Sequence, residues 1–330
     1  MLGAFDLGRC VFHGTDSGVY VCELGNASRS PINVVPLAGV TQVNGLEEHH
    51  LLLVLANHFL YTFNYNPSDP FDPLRYGECG IRYRRVSYFS SGVCLGRTLV
   101  CGVNSSSSGS SVVKVLEPVD QNVHPTRRGL REFKCFYIPC NSSSVRFLKT
   151  KLCISSDKAF ELVDLHTLQT CEILDPEDSN LDLVRGVETL KPITIYRIQN
   201  EFLLCYDQFA LCVDRDGRRS RGDYLIHWMG QPSSFALHYP YLLAFDPSLV
   251  EVRNIETGAL HQTIFGSGLR CLFSDTPPPL PREVYDRETP RSLPWLRNLR
   301  EPSTDASRSQ IILQGDEGTI FRLQLAEPDL

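Results

Sequence analysis

The hydrophobic and polar positions of this chain repeat as hairpins, each with an apolar run, a short polar turn and a second apolar run. The pattern occurs seven times, and its clearest copies are CVFHGTDSGVYVCEL, LCISSDKAFELVDL and FLLCYDQFALCVD. In five copies the turn carries an aspartate, in one it carries an asparagine, and in one, TLVCGVNSSSSGSSVVKVLE, it is a serine run. The single turn residues are, in chain order, Asp16, Asn57, Asp157, Asp207, Asp246 and Asp316.

Successive turns lie about 40–50 residues apart, except for the last interval of about 70 residues. A hairpin cannot bury its own faces, whereas stacked copies can, and repeats of this length are typical of propeller blades. Radial closure leaves only short, protected edges. We therefore expect an all-β, seven-bladed β-propeller, with WD40-like blades of four antiparallel strands in a single closed ring. No domain boundary is evident, so a single domain is predicted over residues 1–330, and a short helix is expected only from Ser179 to Leu190.

The repeated aspartates have two interpretations, calcium ligands or turn formers. A calcium loop supplies several ligands locally, and this spacing does not. An aspartate in a tight turn accepts a hydrogen bond from the backbone two residues on. We therefore predict turn-forming aspartates and no metal site.

The long last interval contains a proline-rich stretch at about residues 275–309, which holds seven of the 21 prolines of the chain. Proline has no N–H to donate within a sheet, so we interpret this stretch as a surface insertion before the last blade. Its Pro278-x-x-Pro281 also matches the polyproline segments that SH3-like domains bind.

Net charge, motif content and cysteine positions argue against several classes of function. A net charge of −6 argues against nucleic acid as a partner. The sequence lacks GxSxG, HExxH, Walker and GxGxxG motifs, so we expect neither catalysis nor a cofactor. Its twelve cysteines form no CxxC, and most lie in apolar runs, as in Cys101, Cys153 and Cys205. Buried reduced cysteines and the absence of a secretory leader in MLGAFDLGRC predict a cytoplasmic protein.

Three stretches are rich in arginine, and the first is also rich in tyrosine. They carry, in order, Arg75, Arg82, Arg84 and Arg85; then Arg127, Arg128, Arg131 and Lys134; then Arg215, Arg218, Arg219 and Arg221, followed by Tyr224. Arginine among aromatic residues is typical of protein interfaces and of surfaces that bind anionic lipid. A solvated rim is the third interpretation.

The fifth and sixth hairpins carry a family resemblance. The matching pieces are LCYDQFALCVDRDGRRSR, a W-x-G-x-P that ends at Pro232, YPYLLAF and VEVRNIETGALHQ. These pieces closely resemble the citron homology (CNH) domain, and GTDSGVYV, from Gly14 to Val21, is similar to the first hairpin of that family. The sequence of these pieces is most similar to the C-terminal CNH domain of fungal guanine nucleotide exchange factors for Rho-type GTPases. The serine run and the proline-rich insertion depart from the family pattern.

The resemblance implies a seven-bladed propeller without catalysis, because exchange belongs to a separate Dbl-homology domain that is not recognisable in this chain. It implies a regulatory module that binds a Rho-type small GTPase, and other domains of its parent protein, in cell-wall and cytoskeleton signalling. We expect the binding residues to be Arg215, Arg218, Arg219, Arg221 and Tyr224, since arginine pairs with acidic switch regions.

The alternative is a module that holds the exchange factor at anionic lipid on the inner face of the plasma membrane. That hypothesis requires the arginines of residues 75–85 and 127–134 to lie on one face.

Overall fold

The structure is a computed structural model that describes residues 4–6, 10–23, 29–66, 68–107, 109–120, 127–184, 187, 189–274, 311–315 and 319–323. The described residues form 27 strands in seven antiparallel sheets. Three single-turn 3₁₀ helices accompany them, at Glu47–His49, Pro73–Arg75 and Ser179–Leu181. The predicted all-β class is confirmed.

Each sheet is one blade, and its strands follow chain order. Blade 1 comprises β1 (Ala4–Asp6), β2 (Cys10–Thr15), β3 (Gly18–Glu23) and β4 (Ile32–Val35). Blade 2 comprises β5 (Val40–Leu46), β6 (Leu51–Ala56), β7 (Phe59–Asn64) and β8 (Tyr83–Arg84). Blade 3 comprises β9 (Tyr88–Cys94), β10 (Arg97–Ser106), β11 (Ser110–Pro118) and β12 (Leu130–Ile138). Blade 4 comprises β13 (Ser142–Phe147), β14 (Lys151–Ser156), β15 (Phe160–Asp164) and β16 (Thr170–Glu172).

The remaining blades follow the same plan. Blade 5 comprises β17 (Pro192–Ile198), β18 (Glu201–Tyr206), β19 (Phe209–Val213) and β20 (Ile226–His227). Blade 6 comprises β21 (Ser234–His238), β22 (Tyr241–Phe245), β23 (Leu249–Asn254) and β24 (Leu260–Phe265). Blade 7 has three strands in the described part of the chain, β25 (Arg270–Ser274), β26 (Ile311–Gln314) and β27 (Ile320–Leu323), where four were expected.

The first strands of the blades contact one another in succession. β1 contacts β5, β5 contacts β9, and the series continues through β13, β17 and β21 to β25. β25 also contacts β1, so the series of contacts returns to its start. This arrangement places the first strand of each blade at the centre and the later strands towards the periphery, as in a seven-bladed propeller.

The seven predicted hairpins are the second and third strands of the seven blades, from β2–β3 to β26–β27. Their apolar runs are continuous because these strands are buried on both faces. All six residues of Leu51–Ala56 are buried, as are all five of Phe209–Val213. The core accordingly lies between neighbouring blades, where residues of two sheets form one cluster, such as Leu203 and Leu242.

The W-x-G-x-P piece has a structural role at one of these clusters. Trp228 is buried, its ring centroid lies 5.2 Å from that of Phe235, and its indole N–H donates to the Tyr206 carbonyl oxygen at 2.9 Å. The tryptophan therefore fastens blade 5 to blade 6.

The turn aspartates do more than the sequence predicted. Asp246 accepts a hydrogen bond from the Ser248 backbone at 2.8 Å, the bond that was expected. Asp207 instead accepts from the Lys191 backbone at 2.9 Å, and Asp157 accepts from the Asn141 amide at 3.5 Å. For these two the prediction of a local bond is wrong, because the turn is held to the segment that enters its own blade.

The predicted helix at Ser179–Leu190 is wrong too, since the described residues of this stretch contain a 3₁₀ turn at Ser179–Leu181 and no α-helix. Asp178 caps that turn by accepting from the Asn180 backbone at 2.9 Å, and it also accepts from the Arg219 backbone at 2.8 Å. Such tertiary bonds hold the segment as a loop. The proline-rich insertion at residues 275–309 and Asp316 lie outside the described residues.

The cysteines occupy the positions expected of small apolar residues. None of the twelve forms a disulfide, and seven are buried, including Cys101, Cys153 and Cys205. Burial raises the pKa of each of these three thiols, which keeps them protonated. Within the ranges that the structure describes, no helix has the length and apolar character needed to cross a bilayer.

Candidate functional site

The third basic stretch forms the connection between β19 and β20, residues 214–225, which we call the arginine loop. Asp214 shapes its turn by accepting hydrogen bonds from the backbones of Asp216 and Arg218, both at 2.9 Å. Gly217 occupies the left-handed region with φ 81°, where a Cβ would lie 1.9 Å from the Ile173 carbonyl oxygen. The loop therefore contacts the segment between blades 4 and 5 directly.

Two arginines of the loop bind that segment. The Arg218 guanidinium pairs with Asp175 at 2.7 Å, and the Arg219 guanidinium donates to the Asn180 carbonyl oxygen at 3.3 Å. Hydrogen bonds from the Glu177 backbone and from Arg218 lower the pKa of the Asp175 carboxyl. These side chains hold two loops of the domain together.

Arg221 and Tyr224 point towards blade 6. The Arg221 guanidinium pairs with Glu201 at 2.7 Å and donates to the Ile255 carbonyl oxygen at 2.9 Å. Its carbon centre lies 5.2 Å above the Tyr224 ring, and the Tyr224 hydroxyl donates to the same carbonyl at 2.5 Å. Burial raises the pKa of Tyr224. Both residues therefore hold the arginine loop against the neighbouring blade.

Arg215 and Arg218 are both exposed, but Arg215 differs from the other three arginines because its side-chain partner is a neutral amide rather than a carboxylate or a backbone carbonyl. It donates to the Asn200 amide oxygen at 2.5 Å, and it has no ion pair within the described part of the chain. The structure thus brings the five predicted residues together in one loop, with Arg215 facing solvent. Partner binding at this loop remains a prediction.

The arginines of the other basic stretches are exposed, and they differ in whether they contact a partner within the domain. Arg82 pairs with Glu78, and Arg131 pairs with Glu117 at 2.6 Å. Arg84 lies over the Phe59 ring at 5.8 Å. Arg85 and Arg127 are exposed.

Arg75 and Arg128 line one groove between blades 2 and 3, which we call the blade 2–3 groove. The groove has a volume of about 600 Å³, and its lining also includes His50, Asn64, Tyr65, Asn66, Leu74 and Gly77. Three connections contribute to it, between β5 and β6, between β7 and β8, and between β11 and β12. The connections between β7 and β8 and between β11 and β12 meet at glycines, since a Cβ on Gly80 would lie 2.9 Å from the Arg128 carbonyl oxygen.

The groove joins one arginine from each of two stretches that are about 50 residues apart in the sequence. Sequence reasoning grouped both arginines with candidate basic patches, but it missed His50, Asn64 and Leu74. Nothing in their local sequence marks them, because the groove is made by the packing of two blades.

A second cavity of about 740 Å³ lies between blades 5 and 6. It is lined by Asp207, Gln208, His227, Trp228, Met229, Gly230, Gln231 and Asp246. No group of three or more potential metal ligands occurs among the residues with described positions.

The CNH domain family profile matches residues 8–275. The chain belongs to the CNH family. Rho1 guanine nucleotide exchange factor 1 of Schizosaccharomyces pombe is 41% identical over 293 residues, which cover 82% of this chain and 21% of that protein. RHO1 GDP-GTP exchange protein 2 of Saccharomyces cerevisiae is 31% identical over 297 residues, again 82% of this chain and 21% of that protein.

Among solved structures, the AfRom2 CNH domain is similar over 98% of this chain and 93% of its own, with a TM-score of 0.77 and 35% identity. The CNH domain is a non-catalytic module. This CNH chain spans about a fifth of the length of the two exchange factors.

Proposed function

We propose that this CNH propeller is a protein-interaction and regulatory module of a Rho guanine nucleotide exchange factor. It binds a Rho-type small GTPase and supports its activation in cell-wall and cytoskeleton signalling. The observation that supports this function best is the 41% identity, across 82% of the chain, with a Rho1 exchange factor. A rigid ring suits such a role because it presents many loops at fixed positions.

The arginine loop is the proposed contact with the GTPase. Arg218, Arg219, Arg221 and Tyr224 already have partners within the domain, so they fix the shape of the loop. Arg215 is exposed and has a neutral partner, which leaves its charge available to an acidic surface. A loop that is ordered before binding loses little conformational entropy when a partner arrives.

Binding of the purified chain to its cognate Rho-type GTPase tests the proposal. The GTPase is prepared with GDP, with a GTP analogue and without nucleotide, and affinity is measured by calorimetry. We expect binding in at least one state and a loss of about tenfold in affinity for Arg215→Ala, because interface arginines often contribute more than 1 kcal/mol.

The matched control is Arg270→Ala, which removes an exposed arginine from blade 7. It is expected to bind as the unaltered chain does. No binding in any nucleotide state would refute the proposed function. Equal affinities for the unaltered chain and the Arg215→Ala variant would refute only the site.

We place the module in the cytoplasm, recruited to the inner face of the plasma membrane, where it also contacts other domains of its parent protein. Two exposed arginines at one groove support this placement, because clustered cations are attracted to the anionic cytoplasmic leaflet.

A further inference from the structure

The blade 2–3 groove carries positive charge that the domain itself does not fully neutralise. Arg128 donates to the neutral Asn64 amide oxygen at 3.3 Å and has no ion pair among the described residues. Arg75 pairs through Nε with Asp72 at 3.2 Å, and its side chain remains 60% exposed. The nearby Glu78 is occupied by Arg82. An anion that enters the groove therefore meets two guanidinium groups, of which that of Arg128 has no carboxylate partner among the described residues.

An apolar side chain stands at the edge of the same groove. Leu74 is 93% exposed, the highest value among the large hydrophobic residues of the described chain. Its backbone is held firmly, because Asp72 accepts from the Leu74 backbone at 3.0 Å in a 3₁₀ turn. The buried Tyr76 donates to the Pro70 carbonyl oxygen at 2.6 Å and anchors the same loop. The fold thus maintains the exposure of this leucine.

A second exposed aliphatic residue lies in the same connection. Ile81 is 68% exposed, and it follows Gly80, which packs against the Arg128 backbone. Aliphatic side chains beside arginine are typical of surfaces that rest at a bilayer interface, with the apolar group inserted and the cations at the headgroups. A protein interface would instead favour aromatic anchors in a flat patch.

We propose that the blade 2–3 groove binds the phosphate of an anionic phospholipid headgroup, with Leu74 inserted into the membrane interface. The guanidinium groups of Arg75 and Arg128 match phosphate oxygens in geometry and charge. His50 and Asn64 add polar groups to the lining, and a volume of about 600 Å³ is in the range of small-ligand sites. This inference specifies the proposed recruitment to the membrane and is independent of GTPase binding.

Vesicle sedimentation with the full chain tests the inference. The vesicles contain phosphatidylcholine alone, phosphatidylcholine with phosphatidylserine, or phosphatidylcholine with a phosphoinositide. We expect binding to acidic vesicles that weakens as salt rises, and a loss of about tenfold or more for Arg75→Ala/Arg128→Ala. Leu74→Ser should weaken vesicle binding while leaving its dependence on salt unchanged, since it removes apolar contact and no charge.

The control Arg197→Ala/Arg270→Ala removes two exposed arginines elsewhere and so changes the net charge equally. It should bind acidic vesicles as the unaltered chain does. Unfolding midpoints of all variants are compared first, and Arg75→Lys/Arg128→Lys retains the charge should the alanine variant fold poorly. That lysine variant is expected to keep part of the vesicle binding.

Soluble inositol bisphosphate and inorganic phosphate distinguish a membrane from a free anion. Weak competition by either supports a membrane-bound headgroup. Binding of soluble phosphate as tight as vesicle binding, together with an unaffected Leu74→Ser variant, would overturn the inference. It would also be overturned if the double alanine variant kept vesicle binding, or lost GTPase binding alone, since the groove would then not be a lipid site.

Discussion

Glu251 and Arg253 form a buried ion pair on β23, in which one carboxylate oxygen accepts from Nη2 at 2.7 Å and from Nε at 3.0 Å. Residues two apart on a strand share one face, so the pair needs no distortion of the blade. The other oxygen of Glu251 accepts from the Met229 backbone at 2.6 Å. The pair therefore connects blade 6 to the W-x-G-x-P segment that follows blade 5.

Replacing Glu251 with alanine should destabilise the domain by about 3 kcal/mol, because breaking a buried pair leaves an uncompensated charge. Glu251 is only 1% exposed, so water cannot substitute for the lost carboxylate. Urea unfolding followed by fluorescence measures the change. Glu172→Ala, at an exposed position of β16, serves as the control and should change stability by less than about 0.5 kcal/mol. Equal midpoints for the two variants would contradict the prediction.

Gly217 should be intolerant of any side chain. Its Cβ would lie 1.9 Å from the Ile173 carbonyl oxygen, so Gly217→Ala must displace the arginine loop from the segment that it contacts. We expect a loss of about 2 kcal/mol or more in unfolding free energy, together with faster tryptic cleavage between Arg215 and Arg221.

The same loop supplies a matched control for this prediction. Gly222 also has a positive φ, of 44°, but no atom lies within 4 Å of a Cβ built on it. Gly222→Ala should therefore show only the backbone cost of about 1 kcal/mol. Similar stability and cleavage rates for the two variants would show that the contact with Ile173 does not contribute to the stability of the loop.

The blades could be predicted from the sequence because each hairpin is specified by residues that are neighbours in the chain. An apolar run on each side of a turn at Asp207 or Asp246 specifies a hairpin wherever it occurs, and seven copies specify a ring. The bonds from Asp207 to Lys191 and from Asn57 to Ala38 were not predictable, because they join turns to segments 16 and 19 residues away.

The candidate sites could be predicted only in part, because their contacts join residues that are far apart in the sequence. Arginines are recognisable in a sequence, but their partners are not. Asp175, between blades 4 and 5, neutralises Arg218, and Glu201, at the start of β18, neutralises Arg221. Arg215 instead meets a neutral asparagine. The blade 2–3 groove depends on a close contact between glycines of two blades, which no local pattern reports.

Replacement by alanine should affect stability at Arg221 and GTPase affinity at Arg215. Arg221→Ala removes a partly buried pair with Glu201 and a bond to Ile255, so we expect a loss of about 1–2 kcal/mol in stability. Arg215→Ala should leave stability within about 0.5 kcal/mol and reduce GTPase affinity. Thermal unfolding and calorimetric binding on the same preparations separate the two effects. A stable Arg221→Ala variant would show that this arginine does not hold the loop.

His13 should make the stability of the domain depend on pH. Burial, with a smaller contribution from the N-terminal charge, lowers the pKa of this histidine from 6.5 to about 4. Its ring stacks on Tyr20 at 5.8 Å between centroids, and Nδ1 lies 3.5 Å from the Cys22 sulfur. The neutral ring is thus the form that fits the folded domain.

The unfolded chain binds a proton at His13 below pH 6.5, whereas the folded domain does so only below about pH 4. The stability that this site contributes is therefore complete above pH 6.5. It falls by up to about 3 kcal/mol as the pH decreases, and the fall levels off near pH 4. Burial also lowers the pKa of His49 and of His238, so the unaltered chain must be compared with His13→Gln. Urea unfolding between pH 7.5 and about 4.5 should show a smaller decline for the variant, and parallel curves would exclude His13 as a source of the acid sensitivity.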